Sequence, residues 1–267
     1  MSELCALTLA GSDSGGGAGI QADLKTFAAH GVHGLSAIAA LTAQNTRGVT
    51  AVHVPPVTFL RAQIDACFDD FNIGAVKIGM LASAAVILAV ADALKFHRPR
   101  WIVLDPVMVA TSGARLLDAD ALAALRDRLL PLASIVTPNI PEAEALLGHP
   151  ILSAADADVA LDELLALGAP AVLLKGGHLP GDGAMLDRYG DRDQRTVFSH
   201  DRLDVQPHGT GCTLAAAIAA GLCRGAELLK ACATATDYVH GALRNSRRPT
   251  HSKVSLLDHF WQHHRVN

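Results

Sequence analysis

The sequence predicts an α/β fold: a three-layer, doubly wound domain with a mostly parallel central sheet flanked by helices. Six short, nearly continuous apolar runs predict the strands, at residues 4–10, 35–41, 75–78, 101–104, 134–136 and 171–174. Between several of them, apolar residues recur every three or four positions and predict helices, for example at residues 86–96, 120–130 and 156–167. Apolar strands alternating with helices indicate a parallel sheet that is buried on both faces.

The rest of the chain adds elements at the end of this pattern. Residues 177–203 are rich in glycine and aspartate and predict a small hairpin excursion. Gly209 opens an alanine-rich helical pattern to about residue 224, and a second helix is expected to about residue 243. The tail from Asn245 is polar and basic, then amphipathic. Because no repeat or linker interrupts the 267 residues, one domain over residues 1–267 is expected.

Composition narrows the classes of partner. Half of the residues are hydrophobic, which suffices for a full core, and the formal net charge of −4 argues against nucleic acid as a partner. No apolar stretch is long enough to span a membrane, and the N-terminus lacks the basic region of a signal peptide. The five cysteines include no C-x-x-C pair, which fits a reducing compartment, so a cytoplasmic location is expected.

Most of the unusual residues follow predicted strands. In open α/β sheets, ligands bind at the carboxyl ends of the strands, so one crevice is expected to collect these residues. They are Gly11, Gln44, Asn45, residues 77–80, Asp105, residues 137–139 and residues 175–177.

The first glycine-rich segment, GSDSGGGAGIQAD at residues 11–23, is tested against two nucleotide motifs. Residues 17–22 satisfy the relaxed G-x-G-x-x-A pattern, but that pattern alone is weak. About 20 residues further on, a dinucleotide site requires an acidic residue, whereas this chain has Thr42-Ala43-Gln44. No G-K-[ST] follows, so the segment is not a Walker A loop. A nicotinamide-dependent oxidoreductase is therefore disfavoured.

The second glycine-rich segment, Gly209-Thr210-Gly211-Cys212, runs directly into the alanine-rich helix. Unpaired amides and the positive end of the helix dipole predict an anion site there, suited to a developing phosphoryl charge. Cys212 lies in the first turn, where a thiol pKa is lowered and a thiolate becomes available as base or nucleophile. The alternative is a small buried residue that packs the helix start, but the flanking glycines favour the catalytic role.

Three oxygen-bearing side chains and one lysine complete the set. Asp105, Asn139 and Glu142 follow predicted strands and suit Mg²⁺ bound to a nucleotide. Alternatively, Asn139 caps a helix with Glu142 in its first turn, and the two roles are compatible. Lys175, followed by two glycines at a strand end, is expected to reach a nucleotide phosphate.

Together these segments resemble the ribokinase-like superfamily and, within it, the hydroxymethylpyrimidine/phosphomethylpyrimidine kinases of thiamine biosynthesis. The resemblance covers about residues 5–243. It rests on motifs that follow one another along the chain, at residues 10–26, 42–46, 77–81, the Asp105 and Asn139 segments, 174–178 and 208–213. Sugar kinases of the superfamily usually carry aspartate at the position of Cys212, so the cysteine indicates the vitamin-kinase branch.

The resemblance implies a reaction and a set of roles. ATP would phosphorylate 4-amino-5-hydroxymethyl-2-methylpyrimidine and then its monophosphate, giving the diphosphate. Five residues would contact the pyrimidine: Gly11, Asp23, Gln44, Met80 and Val107, with the Gln44 amide on the aminopyrimidine edge. Mg²⁺ near Asp105 and Glu142 would bridge ATP phosphates; Lys175, Asn139 and Thr210 would bind ATP, with the amides of residues 209–211 taking up charge. Cys212 would accept the hydroxyl proton, and a homodimer is expected.

The chain departs from the family pattern in two places. The flap has Ala110-Thr111-Ser112-Gly113 where the family often shows Ala-Lys-Ser-Gly, so its lysine is missing at Thr111. The flap also lacks the second cysteine of related enzymes that favour pyridoxal, which disfavours the alternative of a pyridoxal/pyridoxine kinase. A non-catalytic binding protein of this fold is disfavoured by the intact 209–212 segment. Where the family has a glycine-rich ending, this chain has the sequence SKVSLLDHF at residues 252–260. The histidines that follow or lie within it, His259, His263 and His264, are expected to belong to a solvated tail rather than to a metal site.

Overall fold

A nine-stranded sheet forms the centre of the fold. The computed structural model describes residues 3–108, 120–179, 183–249 and 251–265. The strands are β1 Cys5–Asp13, β2 His33–Asn45, β3 Gly48–His53, β4 Ile73–Ile78, β5 Ile102–Leu104, β6 Ile135–Val136, β7 Ala171–Leu174, β8 Met185–Asp191 and β9 Arg195–His200. Their spatial order is β3-β2-β1-β4-β5-β6-β7-β8-β9. A two-stranded sheet pairs β10 Pro207–His208 with β11 Ser255–Leu256.

The pairing directions confirm a mostly parallel sheet. Six neighbouring strands in the middle of this order pair in parallel: β2, β1, β4, β5, β6 and β7. The strand β3 at one edge and the strands β8 and β9 at the other edge pair antiparallel. From β1 the chain winds outward to β2 and β3, then returns to β4 on the other side of β1. The carboxyl ends of β1 and β4 therefore flank the point where the winding direction reverses, which is where such sheets form a ligand crevice.

Helices cover both faces of the sheet, as predicted. They are α1 Gly19–Ala29, α2 Val57–Asp70, α3 Ala84–His97, α4 Ala121–Ala124, α5 Ile140–Leu147, α6 Ala154–Ala166, α7 Thr210–Cys223 and α8 Leu228–Arg244. One buried cluster joins the sheet to α2 through α6, and a second joins it to α1, α7 and α8. The helix expected at residues 120–130 is present, but it changes type: α4 passes into a π-helical turn and a 3-10 turn that contains Pro131.

The alanine content of α7 fixes the position of its N-terminus. Ala215, Ala216, Ala219 and Ala220 are all buried, and the helix packs on β1, β4 and β5. Small side chains allow the helix to lie close to the sheet. The start of α7 is consequently held beside the strand ends.

Three boundaries differ from the sequence prediction. Gly11, Gln44 and Asn45 lie inside β1 and β2 rather than after them, because β1 continues to pair with β2 and β2 with β3. The predicted hairpin is formed by β8 and β9, but it continues the central sheet beside β7 rather than standing apart.

No helix in the described ranges is both long and apolar enough to cross a membrane.

The C-terminal tail packs on α8, so the expected solvated tail is wrong for His259. This side chain is only 5% exposed, and its backbone oxygen accepts a 2.6 Å hydrogen bond from the Tyr238 hydroxyl. Trp261 packs against Gly241, where any larger residue would overlap the indole. His263 and His264 are exposed, as expected.

Candidate active site

Residues from distant parts of the chain meet where α7 begins, beside the ends of β1, β4, β5 and β7. The backbone amide of Gly19 hydrogen-bonds the Cys212 sulfur. A Cβ atom at Gly211 would lie 3.0 Å from Nζ of Lys175 and 3.4 Å from Oδ2 of Asp105. The structure thus gathers residues predicted from four separate motifs into one site.

Residues 11–19, the acceptor loop, are folded around the carboxylate of Asp13. Oδ1 accepts the Gly15 amide at 2.8 Å, and Oδ2 accepts the amides of Gly17 at 3.0 Å and Ala18 at 2.8 Å. Burial opposes the charge, but hydrogen bonds from His208 and these amides hold the pKa of Asp13 below its ordinary value. Since the protein's own carboxylate occupies these amides, the acceptor loop is not a phosphate cradle.

Residues 209–212, the anion loop, differ in that no side chain among the described residues caps their amides. Gly209 is the N-cap residue of α7, and its φ of +82° favours glycine. Its carbonyl oxygen accepts the amide of Thr213 at 3.0 Å and the Thr213 hydroxyl at 2.8 Å. Among the described residues, no side chain caps this helix. The amides of its first turn and the dipole therefore remain available to an anion.

Cys212, the third residue of α7, does not have the lowered pKa expected from its position. Burial raises the pKa of the thiol to about 11, although the Lys77 ammonium and the Gly19 amide oppose the shift. The negative charges of Asp23 and Asp105 add to the increase. The helix start is thus outweighed by desolvation, and Cys212 is a neutral thiol at neutral pH.

Lys175 contacts both of the predicted metal-binding carboxylates. Its Nζ is 2.9 Å from Oδ1 of Asp105 and 3.7 Å from Oε2 of Glu142, and all three side chains are largely buried. Burial raises the pKa of Glu142 to about 7 in spite of the lysine. Oδ2 of Asp105 is buried and has no hydrogen-bond partner among the described residues.

The donor set fits a magnesium ion bound together with phosphate. Asp105 offers an unpartnered oxygen, and Oε2 of Glu142 lies 3.7 Å from Nζ of the same lysine, Lys175. The described residues include no group of three or more His, Cys, Asp or Glu that would hold a metal. Mg²⁺ commonly takes only one or two carboxylates and completes its shell with water and substrate phosphates.

Asn139 forms the helix cap that the sequence offered as one of its two roles. Its Oδ1 accepts the Glu142 amide at 2.9 Å, and Oε2 of Glu142 accepts the Asn139 amide at 2.8 Å. Lys175 donates its amide to the Pro138 oxygen, which places β7 beside the start of α5. The cap therefore positions Glu142 next to Lys175, and a contact of Asn139 with ATP stays a prediction.

A small apolar cluster around Met80 lies near the ends of β1, β2, β4 and β5. Met80 packs with Ala40, Ala82 and the partly buried Val107. Gly11 lies against the methyl group of Met80, so a larger residue would displace it. Gln44 is partly exposed, and its Oε1 accepts the Thr42 hydroxyl at 3.0 Å, which leaves its amide group available to a ligand.

Asp23 is fully buried instead of lying on the helix surface. Its Oδ2 accepts the Thr8 hydroxyl at 2.6 Å and lies 2.9 Å from Nζ of Lys77, while Oδ1 has no partner among the described residues. Burial raises the pKa of Asp23 even though Lys77 opposes the shift. A substrate contact for Asp23 stays a prediction, to which the unpartnered oxygen lends support.

Sequence reasoning assigned no role to Lys77, Asp13 or His208. A lysine inside the apolar run of residues 75–78 was a usable signal, because lysine is almost never fully buried unless it is paired. The contact of Asp13 with His208 had no signal, since the two residues are 195 positions apart. The flap at residues 110–113, including Thr111, lies outside the described residues.

Comparison with known proteins gives a consistent family. Residues 13–256 match the family described as phosphomethylpyrimidine kinase. A hydroxymethylpyrimidine/phosphomethylpyrimidine kinase of Rhizobium meliloti is 51% identical over 246 residues, 91% of each chain. The thiamine biosynthesis bifunctional protein ThiED of Geobacter sulfurreducens is 51% identical over 239 residues, 89% of this chain and 49% of that protein. The structure of an ADP complex of Bacillus subtilis pyridoxal kinase superposes with a TM-score of 0.90 at 34% identity, covering 100% of both chains.

Proposed function

The chain belongs to the phosphomethylpyrimidine kinase family, and from that premise we propose that its strand-end site phosphorylates an aminopyrimidine alcohol in thiamine biosynthesis. The substrate is 4-amino-5-hydroxymethyl-2-methylpyrimidine, and its monophosphate is then phosphorylated to the diphosphate. One observation carries the proposal. The acceptor loop, beside the apolar cluster around Met80, packs directly against the anion loop, and Gly17 and Gly209 are in backbone contact.

The bond changes are those of a direct phosphoryl transfer. The hydroxymethyl oxygen forms a bond to the γ-phosphorus of ATP, and the bond from that phosphorus to the β,γ-bridging oxygen breaks. ADP leaves with the electron pair. In the second step an oxygen of the monophosphate is the acceptor. Catalysis of such transfers depends mainly on positioning and on stabilisation of charge.

The negative charge that develops on the transferring phosphoryl group would be stabilised by the anion loop and Lys175. Amides of Gly209, Thr210 and Gly211 would face the transferring group, and Nζ of Lys175 lies 3.0 Å from where a Cβ atom at Gly211 would be. Thr210 and Asn139 would also contact ATP. Fixed donors of this kind need no reorganisation during the reaction, which makes them effective.

Cys212 would take the proton of the acceptor hydroxyl. Because its pKa of about 11 keeps it a thiol beforehand, its own proton would first pass to solvent water as the substrates bind. The Lys77 ammonium and the Gly19 amide would stabilise the resulting thiolate. Gln44, Asp23, Gly11, Met80 and Val107 would orient the pyrimidine.

Mg²⁺ would be held by Asp105 and Glu142. When bound, the ion supplies positive charge to the phosphate oxygens of ATP. Before it binds, Lys175 neutralises Asp105 and Glu142 in part, at 2.9 Å and 3.7 Å. The lysine is thereby held where the phosphates arrive.

The nucleoside part of ATP would occupy a cavity next to the small sheet. This cavity of about 420 Å³ is lined by Leu203, Val205 and Leu243, with Arg244 and Arg248 at its side. Ser255, another lining residue, pairs with Pro207, two positions before Gly209. Val205→Glu should raise KM for ATP and leave KM for the pyrimidine unchanged.

Pyridoxal is the alternative acceptor, supported by the similarity to Bacillus subtilis pyridoxal kinase. The higher identity to the pyrimidine kinase of Rhizobium meliloti, 51% against 34%, favours the pyrimidine. The flap of this chain also lacks a cysteine. Pyridoxal would therefore be a minor substrate.

We also propose a homodimer that works in the cytoplasm. All five cysteines are free, which fits a reducing compartment. The edge strand β3 and its surroundings expose Leu41, Val52, Val54 and Phe59, which would be covered by a second copy. Light scattering of the purified protein would test this, because a dimer should have twice the 27.8 kDa mass of one chain.

The decisive experiment measures ADP release with the pyrimidine, its monophosphate and pyridoxal side by side. We expect turnover with the first two and little with pyridoxal; no response to the monophosphate would contradict the second step.

Cys212→Ala should lower kcat by about 10²- to 10⁴-fold with little change in substrate affinity. Cys212→Asp, which introduces a carboxylate base, should recover part of the activity. Wild-type turnover by Cys212→Ala would contradict the assigned role.

A further inference from the structure

We propose that His208 is a positioning residue for the phosphoryl transfer: its contact with Asp13 sets the acceptor loop against the anion loop. The inference rests on the proposed kinase reaction. It adds to that reaction a contact between two residues that are far apart in sequence, Asp13 and His208. His208 directly precedes Gly209, and Asp13 organises the acceptor loop.

The contact is close and excluded from water. Nε2 of His208 lies 3.1 Å from Oδ2 of Asp13, and the two side chains are 8% and 3% exposed. The pKa of Asp13 is lowered, so its carboxylate is ionised and can only accept; Nε2 of His208 must therefore donate. The same Oδ2 atom also accepts the amides of Gly17 and Ala18. One oxygen thus joins the acceptor loop to the residue before the anion loop.

The backbone leaves little freedom around this contact. A Cβ atom at Gly17 would lie 2.6 Å from Cδ2 of His208 and 2.6 Å from Cδ2 of Leu256. A Cβ atom at Gly209 would overlap the carbonyl oxygen of Gly17. The backbone of His208 is itself held in place, because it pairs with Leu256 in the small sheet. A change in the His208 ring would consequently alter the spacing of the two loops.

That spacing decides the reaction geometry. The acceptor hydroxyl is positioned from the side of the acceptor loop, and the γ-phosphate from the anion loop. A displacement of about 1 Å between reacting groups can lower a rate by about 100-fold. Binding of each substrate depends mainly on its own loop and pocket. Loss of the contact should therefore reduce kcat much more than it changes either KM.

The test compares His208→Leu with His208→Gln. Leucine removes the donor, whereas the side-chain amide nitrogen of glutamine can take the place of Nε2. We expect His208→Leu to lower kcat by about 10- to 100-fold, with each KM within about threefold, and His208→Gln to stay within about fivefold of wild type. The exposed His149→Leu is the matched control and should have wild-type kcat.

Hydrogen exchange of the Gly15, Gly17 and Ala18 amides gives a readout that does not require turnover. Exchange should be faster in His208→Leu than in wild type and close to wild type in His208→Gln. Unchanged kcat and exchange in His208→Leu would overturn the proposal, as would equal loss of activity in both variants. If wild type releases no ADP with any acceptor, the kinase proposal fails, and with it the role in transfer; the exchange rates then decide only whether the contact orders the loop.

Discussion

Asp23 and Lys77 form an ion pair in which Oδ2 and Nζ are 2.9 Å apart and neither side chain is exposed. Lys77 is the only lysine among the largest fully buried side chains of the described residues. Burial would lower the pKa of Lys77, but the charge of Asp23 outweighs it and raises this pKa. The pair therefore keeps the Lys77 ammonium within electrostatic reach of Cys212, where it lowers the thiol pKa and the Asp23 carboxylate opposes it.

Lys77→Met should destabilise the protein by about 3–5 kcal/mol, because it leaves the buried Asp23 carboxylate unpaired. Adding Asp23→Asn should recover part of this loss, since the neutral amide can still accept from Thr8. Urea unfolding of both variants would measure the difference. Lys95→Met, at an exposed position of α3, is the control and should change stability little. Equal stability of Lys77→Met and Lys95→Met would show that the ion pair is unimportant.

Cys212 should react slowly with iodoacetamide at neutral pH in the absence of substrates. With a pKa of about 11, only about one thiol in 10³ is ionised near pH 8. The alkylation rate can be followed by mass spectrometry of the Cys212 peptide. It should keep rising at pH values well above 8.5, the approximate pKa at which the rate for free cysteine levels off. A midpoint below about pH 8 would mean that the helix start outweighs burial after all.

Gly209→Ala should abolish most of the kinase activity, whereas Gly225→Ala should not. Both glycines have positive φ, +82° and +88°. The new methyl group would overlap the Gly17 oxygen in the first case and meet nothing within 4 Å in the second. Both variants incur the backbone strain of about 1–2 kcal/mol, so the difference between them isolates the contact of the two loops. ADP-release rates would measure it, and equal activities would argue against the contact.

The elements and the anion loop were predictable because their signals are local. The apolar runs at residues 75–78 and 171–174 gave β4 and β7, and the glycines at 209 and 211 marked the start of α7. The Cys212 pKa was not predictable, because it depends on desolvation and on charges from Asp23 and Asp105 that only the fold brings near. The position of His259 was missed for the same reason: its partners, Thr213 and Tyr238, lie far away in sequence.

His259 should make the stability of the protein depend on pH. Burial lowers its pKa to about 4, with the nearby Lys25 charge adding to the effect, whereas an unfolded histidine titrates near about 6.5. Below about pH 6.5 the unfolded chain therefore binds a proton that the folded chain does not, and stability falls until the pH reaches about 4. The loss from this group between about pH 7.5 and pH 5 is about 2 kcal/mol. Urea unfolding at both pH values should show it in wild type, and His259→Gln should reduce the difference by that amount; equal pH dependence in both proteins would refute the assignment.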